Sequence, residues 1–379
     1  MAGVPVIPVM IPDLGEEEAQ AAADAIRSGW VAQGPRVARF ETEFAAAVGG
    51  GHGVAVSSCT TGLHLALVLL GLGPGDEVIV PSLSFIATAN AVRYVGATPV
   101  FADVELATGN LTVETIDAVR TGRTRAVIAV HQGGVPFDTV ALRKAADDWG
   151  VALVEDAACA AGSMAYGRPA GAEAGIAAWS FHPRKLITTG EGGMVTVASA
   201  DDATRLKRLR EHGMNVSAAD RHASKQPVIE AYLETAFNYR MTDIQAAVGL
   251  VQLGKLSALV KQRRQLAARY QSLLADINGL IAIRDPAYGQ TNYQSFWVLL
   301  DGFPVGRDEV LAELARKGVS ARRGIMAAHL EPAYADVTPG PLPVTERITR
   351  ESLILPLHHK LTEADQDHIT GVLRELATR

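Results

Sequence analysis

A lysine and an aspartate in the middle of this 379-residue chain are the residues whose types and placement could do chemistry together. Asp156 closes the largely apolar run 151–155, and Lys185 follows a second apolar run that contains Trp179 and Phe181. A lysine amine can form a Schiff base with an aldehyde, and a carboxylate can keep a pyridine nitrogen protonated. The pair therefore suits pyridoxal 5′-phosphate (PLP), whose protonated ring acts as an electron sink.

Further candidates stand where predicted strands give way to helices or loops. Cys59 and Thr60 open a predicted helix, whose unpaired backbone amides could hold a phosphate, with the Thr60 hydroxyl as another donor. Ser180 on the strand before the lysine offers a second hydroxyl, and Phe85 offers a ring that could stack on a cofactor. Taken singly, these residues have plainer interpretations as a helix cap, a strand serine and a core phenylalanine. Their order along the chain favours one cofactor site.

The elements that must position these residues follow an α/β pattern. In the first 250 residues short apolar runs alternate with helical patterns, which is typical of a mostly parallel sheet covered by helices. Ligands of open α/β sheets bind beyond the carboxyl ends of the strands, and the candidate residues fall at such ends. The predicted strands are 54–57, 77–80, 98–102, 125–130, 151–155, 177–181 and 194–197, and the predicted helices are 60–70, 85–94, 138–149 and 242–274.

The last third of the chain predicts a second, smaller unit. Strands are expected at 295–300 and 353–357 and helices at 307–317 and 363–377, a pattern typical of an α+β domain. We therefore predict a large PLP-binding domain at residues 1–250 and a small C-terminal domain at residues 251–379. The loops 215–226 and 321–329 are candidates for substrate contacts.

Composition narrows the class of partner. The chain is 48% hydrophobic and carries a net charge of −6, which argues against nucleic acid or an anionic membrane surface as a partner. Cys59 and Cys159 make neither a disulfide framework nor a zinc site, and His358 and His359 lack further metal ligands at suitable spacing. We read no signal peptide and no segment that spans a bilayer, so a soluble cytoplasmic protein without a metal is expected.

Six motifs together resemble the sugar aminotransferase family of the DegT type, within the fold-type I PLP-dependent transferases. The resemblance runs over nearly the whole chain, and each motif is only moderately specific by itself. The motifs are Ser28–Pro35 with Phe40 and Glu41, Ser57–Leu67, Glu155–Ala160, Ser180–Lys185 with Thr189–Gly193, Asn238–Ala247, and Leu355–His358.

The resemblance implies a role for each candidate. Lys185 would carry the Schiff base and Asp156 would pair with the pyridine nitrogen. The ring would stack on Phe85, and the phosphate would be held by Cys59, Thr60 and Ser180. Asn238 is similar to an asparagine that reaches the phosphate of the neighbouring subunit, which implies a homodimer with shared active sites. The chain departs from the family at Cys59, where many members have glycine, and at Cys159, where many have glutamine or histidine.

The activity implied by the resemblance is transfer of an amino group from an amino acid, with L-glutamate the expected donor, to a keto-sugar. The sugar would be nucleotide-linked, the cofactor would pass through its pyridoxamine 5′-phosphate form, and the product would serve amino-sugar biosynthesis. An aminotransferase for a cyclitol ketone stays open as an alternative. A PLP-dependent sugar dehydratase and a non-catalytic regulatory protein are disfavoured, since dehydratases typically have histidine in place of the lysine that stands at position 185.

Overall fold

The computed structural model describes residues 6–216 and 226–379. Its first nine strands are β1 (His52–Val56), β2 (Glu77–Pro81), β3 (Thr98–Ala102), β4 (Thr124–Val130), β5 (Ala152–Asp156), β6 (Met164–Ala165), β7 (Arg168–Pro169), β8 (Ile176–Ser180) and β9 (Gly193–Val197). Seven of them form one sheet in the order β1-β9-β8-β5-β4-β2-β3. Strands β3, β2, β4, β5 and β8 run parallel, and β9 runs against both β8 and β1. The carboxyl ends of β1, β2, β4, β5 and β8 therefore meet at one edge.

Helices cover this sheet, and several of them begin after a residue whose side chain caps the helix. They are α1 (Glu16–Arg27), α2 (Pro35–Val48), α3 (Cys59–Leu69), α4 (Ala87–Tyr94), α5 (Val113–Asp117), α6 (Thr139–Trp149), α7 (Ala200–Leu209) and α8 (Asp243–Leu274). The side chains of Ser58, Asp138 and Thr242 accept a backbone N–H in the first turn of α3, α6 and α8, and so cap those helices. Most of α3 is apolar and buried, and because α3 begins directly after the turn that ends β1, its N-terminus lies at the carboxyl edge of the sheet.

Helix α8 joins the two parts of the chain without a break. Its 32 residues continue through Gly254 and pass the predicted domain boundary at residue 250, which stays a prediction. By length and composition alone α8 could cross a bilayer, and in the described residues it is the one helix that passes that test. It packs against α1 and α2, and it buries the polar side chains of Gln252 and Arg263 within the fold.

A smaller antiparallel sheet forms the second part of the fold. Its strands β10 (Leu280–Ala282), β12 (Phe296–Leu300), β14 (Ser352–Leu355) and β13 (Arg322–Arg323) lie in that spatial order, while β11 (Gly289–Gln290) pairs with β6. Helices α9 (Arg307–Arg316), α10 (Pro343–Glu351) and α11 (Glu363–Leu376) accompany it. Buried side chains from this sheet, α8, α9 and α11 form one apolar core. The start of the chain joins the same unit, because Ile7 pairs with Val319.

The predicted fold class is confirmed, with a mostly parallel large sheet followed by a smaller α+β unit. Predicted and observed strands differ by about one residue at most of their ends. Helix α4 begins at Ala87 and not at Phe85, so that the phenylalanine lies in the turn before the helix. Sequence analysis did not anticipate α1 and α2.

Candidate active site

A cleft of about 390 Å³ lies between the carboxyl edge of the large sheet and the smaller sheet. The large sheet contributes Phe85, Cys159 and Lys185 to its wall, and the smaller sheet contributes Phe296 and Ile354. The predicted substrate loop 321–329 supplies residues 322–326 to the lining, while residues 217–225 of the other predicted loop lie outside the described residues. The cleft therefore brings together two of the predicted site residues, Phe85 and Lys185. Cys159, which was not predicted as a site residue, lies beside them.

Lys185 reaches the cleft from a tight loop after β8. The loop is closed by hydrogen bonds from the Lys185 N–H to the His182 carbonyl (2.8 Å) and from the Thr189 N–H to the Phe181 carbonyl (3.0 Å). The amine Nζ donates to Cys159 Sγ at 3.1 Å. Burial by itself lowers the pKa of Lys185, but the nearby Cys159 sulfur and Asp156 carboxylate outweigh burial and raise that pKa. The amine is thus protonated at neutral pH and must lose a proton before it attacks a carbonyl.

Asp156 is the last residue of β5 and is buried. Its Oδ2 accepts a hydrogen bond from Thr88 Oγ1 (2.8 Å), and its Oδ1 accepts one from the Ala158 N–H (3.1 Å). Burial raises the pKa of Asp156, while these two hydrogen bonds and the charge on Lys185 oppose the rise. The carboxylate is therefore held by two donors beside the lysine amine.

Thr88 is a site residue that sequence analysis missed. It lies in the first turn of α4, three positions after Phe85, and is 1% exposed. Its Oγ1 lies 2.8 Å from Ser84 Oγ as well as from the Asp156 carboxylate. Its place in the turn that follows Phe85 was the available signal, but threonine is a common residue in such turns.

His131 and Glu155 form a buried pair behind the aspartate. His131 stacks on Phe137 with ring centroids 4.3 Å apart, and its Nε2 lies 2.8 Å from Glu155 Oε2. Burial raises the pKa of Glu155, but His131 and backbone N–H groups of residues 171–174 outweigh burial and lower that pKa. These contacts give His131 a structural role.

The N-terminus of α3 opens at the same edge. Ser58 caps the helix, and the amides of Cys59 and Thr60 have no acceptor within it. A Cβ added at Gly193 would lie 2.5 Å from the Ser58 carbonyl carbon, so glycine lets the start of β9 approach this turn. Burial, and then the Asp156 charge, raise the pKa of the Cys59 thiol well above its ordinary value, which keeps that thiol neutral.

Two further predicted residues lie at this edge, and a third, Asn238, does not line the cleft. Ser180 ends β8, and its Oγ accepts from the His182 N–H at 3.4 Å. Phe85 is 70% exposed although it is a large aromatic, so one face of its ring is free for a flat ligand. Asn238 is exposed away from the cleft lining, where its Oδ1 accepts from Arg240 Nε at 3.0 Å.

Comparison with known proteins agrees with this geometry, since residues 12–374 match the DegT/DnrJ/EryC1/StrS aminotransferase family. The chain belongs to that family. The aminotransferase TlmJ from Streptoalloteichus hindustanus is 37% identical, with a TM-score of 0.90 over 98% of this chain and 99% of that one. DesI, solved in the presence of its TDP-sugar product, is 33% identical, with a TM-score of 0.88 over 99% and 93%. Spr1654 from Streptococcus pneumoniae, solved in a PLP form, is 27% identical, with a TM-score of 0.91 over 98% and 99%.

The protein is a PLP-dependent aminotransferase, as are the family and its solved members. The residues at the cleft fit this cofactor. They combine a lysine amine with a buried carboxylate held by two donors, a helix N-terminus with amides directed at the edge of the sheet, and an exposed aromatic ring. The predicted family, fold class, enzyme class and cofactor are therefore confirmed.

Proposed function

We propose that this aminotransferase moves an amino group from an amino acid, with L-glutamate the expected donor, to the keto carbon of a nucleotide-linked sugar. The observation that carries the proposal is the Lys185 amine in a cleft with a cationic lining, with the buried Asp156 carboxylate close enough to influence the pKa of that amine. When bound, PLP supplies an aldehyde for the amine and an electron-withdrawing ring. In this arrangement Lys185 is the residue that forms the covalent link.

Each side chain then has one task. Lys185 Nζ removes the proton from the α-carbon of the donor and later delivers a proton to the sugar carbon. Asp156 holds a proton on the ring nitrogen, and hydrogen bonds from Thr88 and the Ala158 amide favour the charged carboxylate against burial, which raises its pKa. Phe85 stacks on the ring. The phosphate is held by the amides and hydroxyls of Cys59, Thr60 and Ser180.

The charge of the cleft supports an anionic substrate. Four of the side chains that line it are cationic, namely Arg184, Lys185, Arg322 and Arg323, and no aspartate or glutamate is among the lining residues of the described chain. The chain as a whole carries a net charge of −6, so the positive charge of this lining is opposite in sign to the net charge of the chain. Arginines bind phosphate and carboxylate groups well, which suits both a sugar nucleotide and a dicarboxylic donor. The related DesI was solved in the presence of its TDP-sugar product, and an anionic ligand of that kind suits the same lining.

Lys185 can be tested by chemical trapping. Borohydride reduction of the PLP-loaded protein, followed by peptide mapping, should place the cofactor on Lys185. The variant Lys185→Ala should take up no reducible cofactor, while Lys144→Ala, which removes an exposed lysine paired with Asp148, should behave as wild type. Cofactor trapped on another lysine would remove the proposed role.

The substrate can be tested with a panel of acceptors assayed with L-glutamate. TDP-linked keto-sugars should be converted, and the same sugars without the nucleotide should be poor acceptors. Arg322→Ala should raise KM for the nucleotide-linked acceptor about tenfold, as loss of one charged contact predicts. The control Arg316→Ala changes an exposed arginine of α9 that pairs with Glu313 and should leave KM unaltered. Conversion of a cyclitol ketone, and of no keto-sugar, would favour the alternative substrate.

We also propose a homodimer in which Asn238 completes the phosphate site of the partner subunit. Asn238 is exposed and outside the cleft of its own chain, and large hydrophobic side chains such as Tyr94 (56%), Leu330 (57%) and Tyr232 (62%) are exposed on the described surface. Asn238→Ala should weaken PLP retention without unfolding the protein. Mixed dimers of Lys185→Ala and Asn238→Ala subunits should regain one intact site in two. Hybrids with no intact site would argue against sharing.

A further inference from the structure

The segment 291–295, which leads into β12 of the smaller sheet, contacts both loops that carry the candidate site. We call it the amide strap, because its side-chain amides at Asn292 and Gln294 make the contacts. Neither residue belongs to the motifs noted in the sequence. The strap lies more than 100 positions after Lys185 in the chain, so only the fold brings the two together.

Gln294 brackets the lysine from both sides with one amide group. Its Nε2 donates to the carbonyl of Arg184 at 2.6 Å, and its Oε1 accepts from the N–H of Leu186 at 2.9 Å. The backbone groups immediately before and after Lys185 are therefore fixed to a single planar side chain. Such a bracket restricts the rotation of the lysine backbone and sets the direction in which Nζ leaves it.

Asn292 makes the matching contact to the loop after β5. Its Nδ2 donates to the carbonyls of Cys159 (2.7 Å) and Ala161 (2.8 Å), and its Oδ1 accepts from the N–H of Gln294 at 2.7 Å. Asn292 is fully buried, and its Oδ1 packs so closely against Gly134 that a Cβ added there would overlap it. The surrounding structure therefore restricts the side-chain amide to one position. The strap thus holds Cys159 and Lys185 in one frame, consistent with the 3.1 Å separation of Sγ and Nζ.

The strap itself is anchored to α8. The buried Arg263 donates from Nη1 to the carbonyls of Tyr293 (2.9 Å) and Gln294 (3.3 Å), and Arg264 donates from Nε to the carbonyl of Thr291 (2.9 Å). Burial lowers the pKa of Arg263 to about 10, which still leaves the guanidinium charged at neutral pH. Two arginines on one helix therefore fix the main chain of the strap, and its amides can position other groups at little cost in entropy.

We propose that Gln294 is the positioning residue of Lys185 and that Asn292 does the same for Cys159. The inference rests on the proposed function only in taking Lys185 as the reactive amine. A bracketed lysine meets the aldehyde and the substrate carbon in one orientation, and loss of the bracket lets Nζ sample others. The loss should act on the chemical step more than on substrate binding.

The experiment compares Gln294→Leu with two partners. Gln294→Glu keeps the acceptor for the Leu186 N–H and loses the donor to Arg184, so it should retain part of the effect of the native residue. Gln366→Leu is the matched control, because Gln366 is a buried glutamine whose Nε2 donates to the Leu266 carbonyl at 2.8 Å without contacting the lysine loop or the strap. Hydrogen–deuterium exchange at the Leu186 amide is read in the cofactor-free protein. Cofactor capture and transamination are then read in the loaded protein.

Gln294→Leu should speed exchange of the Leu186 amide about tenfold or more and should lower kcat about 10–100-fold, with KM for the amino donor within about threefold. Gln294→Glu should keep that amide slow, and Gln366→Leu should leave exchange and kcat unchanged. The inference is overturned if Gln294→Leu exchanges Leu186 at the wild-type rate, or if its kcat stays within about twofold of wild type. Because exchange is read without cofactor, failure to trap PLP on Lys185 would refute the proposed function separately.

Discussion

Thr88→Val tests how the charge of Asp156 is maintained. Valine has nearly the shape of threonine, so the change removes one hydroxyl from a buried position and leaves the packing of α4 almost intact. The lost group is the donor 2.8 Å from Asp156 Oδ2, and the Ala158 N–H remains on Oδ1. Burial already raises the pKa of Asp156, and the Thr88 hydroxyl is the largest of the influences that lower it. Removing that hydroxyl should therefore raise the pKa further.

The size of the effect follows from the hydrogen bond. A hydrogen bond to a charged group contributes about 1.5–3 kcal/mol, and one pKa unit corresponds to about 1.4 kcal/mol, so the pKa of Asp156 should rise by roughly one to two units. Below its pKa the protonated carboxyl no longer holds a proton on the ring nitrogen, and activity falls. The acidic limb of the kcat/KM profile should thus move to higher pH by the same amount, with little change on the alkaline side.

The control for this prediction is Thr88→Ser, which keeps the hydroxyl and should leave the acidic limb in place. The assay is kcat/KM for L-glutamate between about pH 5 and 9, with protein folding checked at each pH. An unchanged acidic limb in Thr88→Val would show that Thr88 does not set the ionisation of Asp156. A fall in kcat/KM that is equal at every pH would likewise contradict the reasoning, because it would indicate displacement of the carboxylate instead of its protonation.

Three further predictions concern stability and cofactor affinity. Glu41→Ala should cost about 3–5 kcal/mol in urea unfolding because it leaves the buried Arg210 without its carboxylate, whereas Glu43→Ala at an exposed pair should cost less than about 1 kcal/mol. Phe85→Ala should leave the free energy of unfolding nearly unchanged but weaken PLP binding about 2–10-fold in equilibrium dialysis; undiminished affinity would rule out stacking. Burial lowers the pKa of His358 from 6.5 to about 4, so stability that is present above pH 6.5 should be lost as the pH falls toward 4. The variant His358→Leu should lose less stability over this pH range. An equal loss of stability in the variant would assign the pH dependence to another group.

Local features of the chain were predictable because their causes are local. Asp138 and Thr242 cap helices through side chains that reach backbone amides three positions away. Strands buried on both faces appear as short apolar runs, and Asp156 was recognisable as the polar end of one. The domain boundary, the site roles and the dimer remain predictions.

Contacts between distant parts of the chain were not predictable in this way. The sequence marked Cys159 only as a departure from the family, and the structure makes it a hydrogen-bond partner of Lys185. Thr88 reaches Asp156 only because β2 and β5 lie in one sheet with β4 between them. No periodicity or spacing encodes such a contact. A hydrogen bond across 68 positions depends on where the start of α4 and the end of β5 lie in space.

The amino-acid sequence by itself determined most strands and helices of the large sheet, the edge at which most candidate residues gather and, through its motifs, the class of chemistry. These follow from apolar periodicity, capping residues and residue type, all of which act over a few neighbouring positions. The tertiary structure alone decided which groups set the charge of Asp156, what Lys185 contacts and how the amide strap fixes its backbone. Electrostatic and hydrogen-bonding environments depend on distances of about 3 Å between remote segments, and only packing of the whole chain sets those distances.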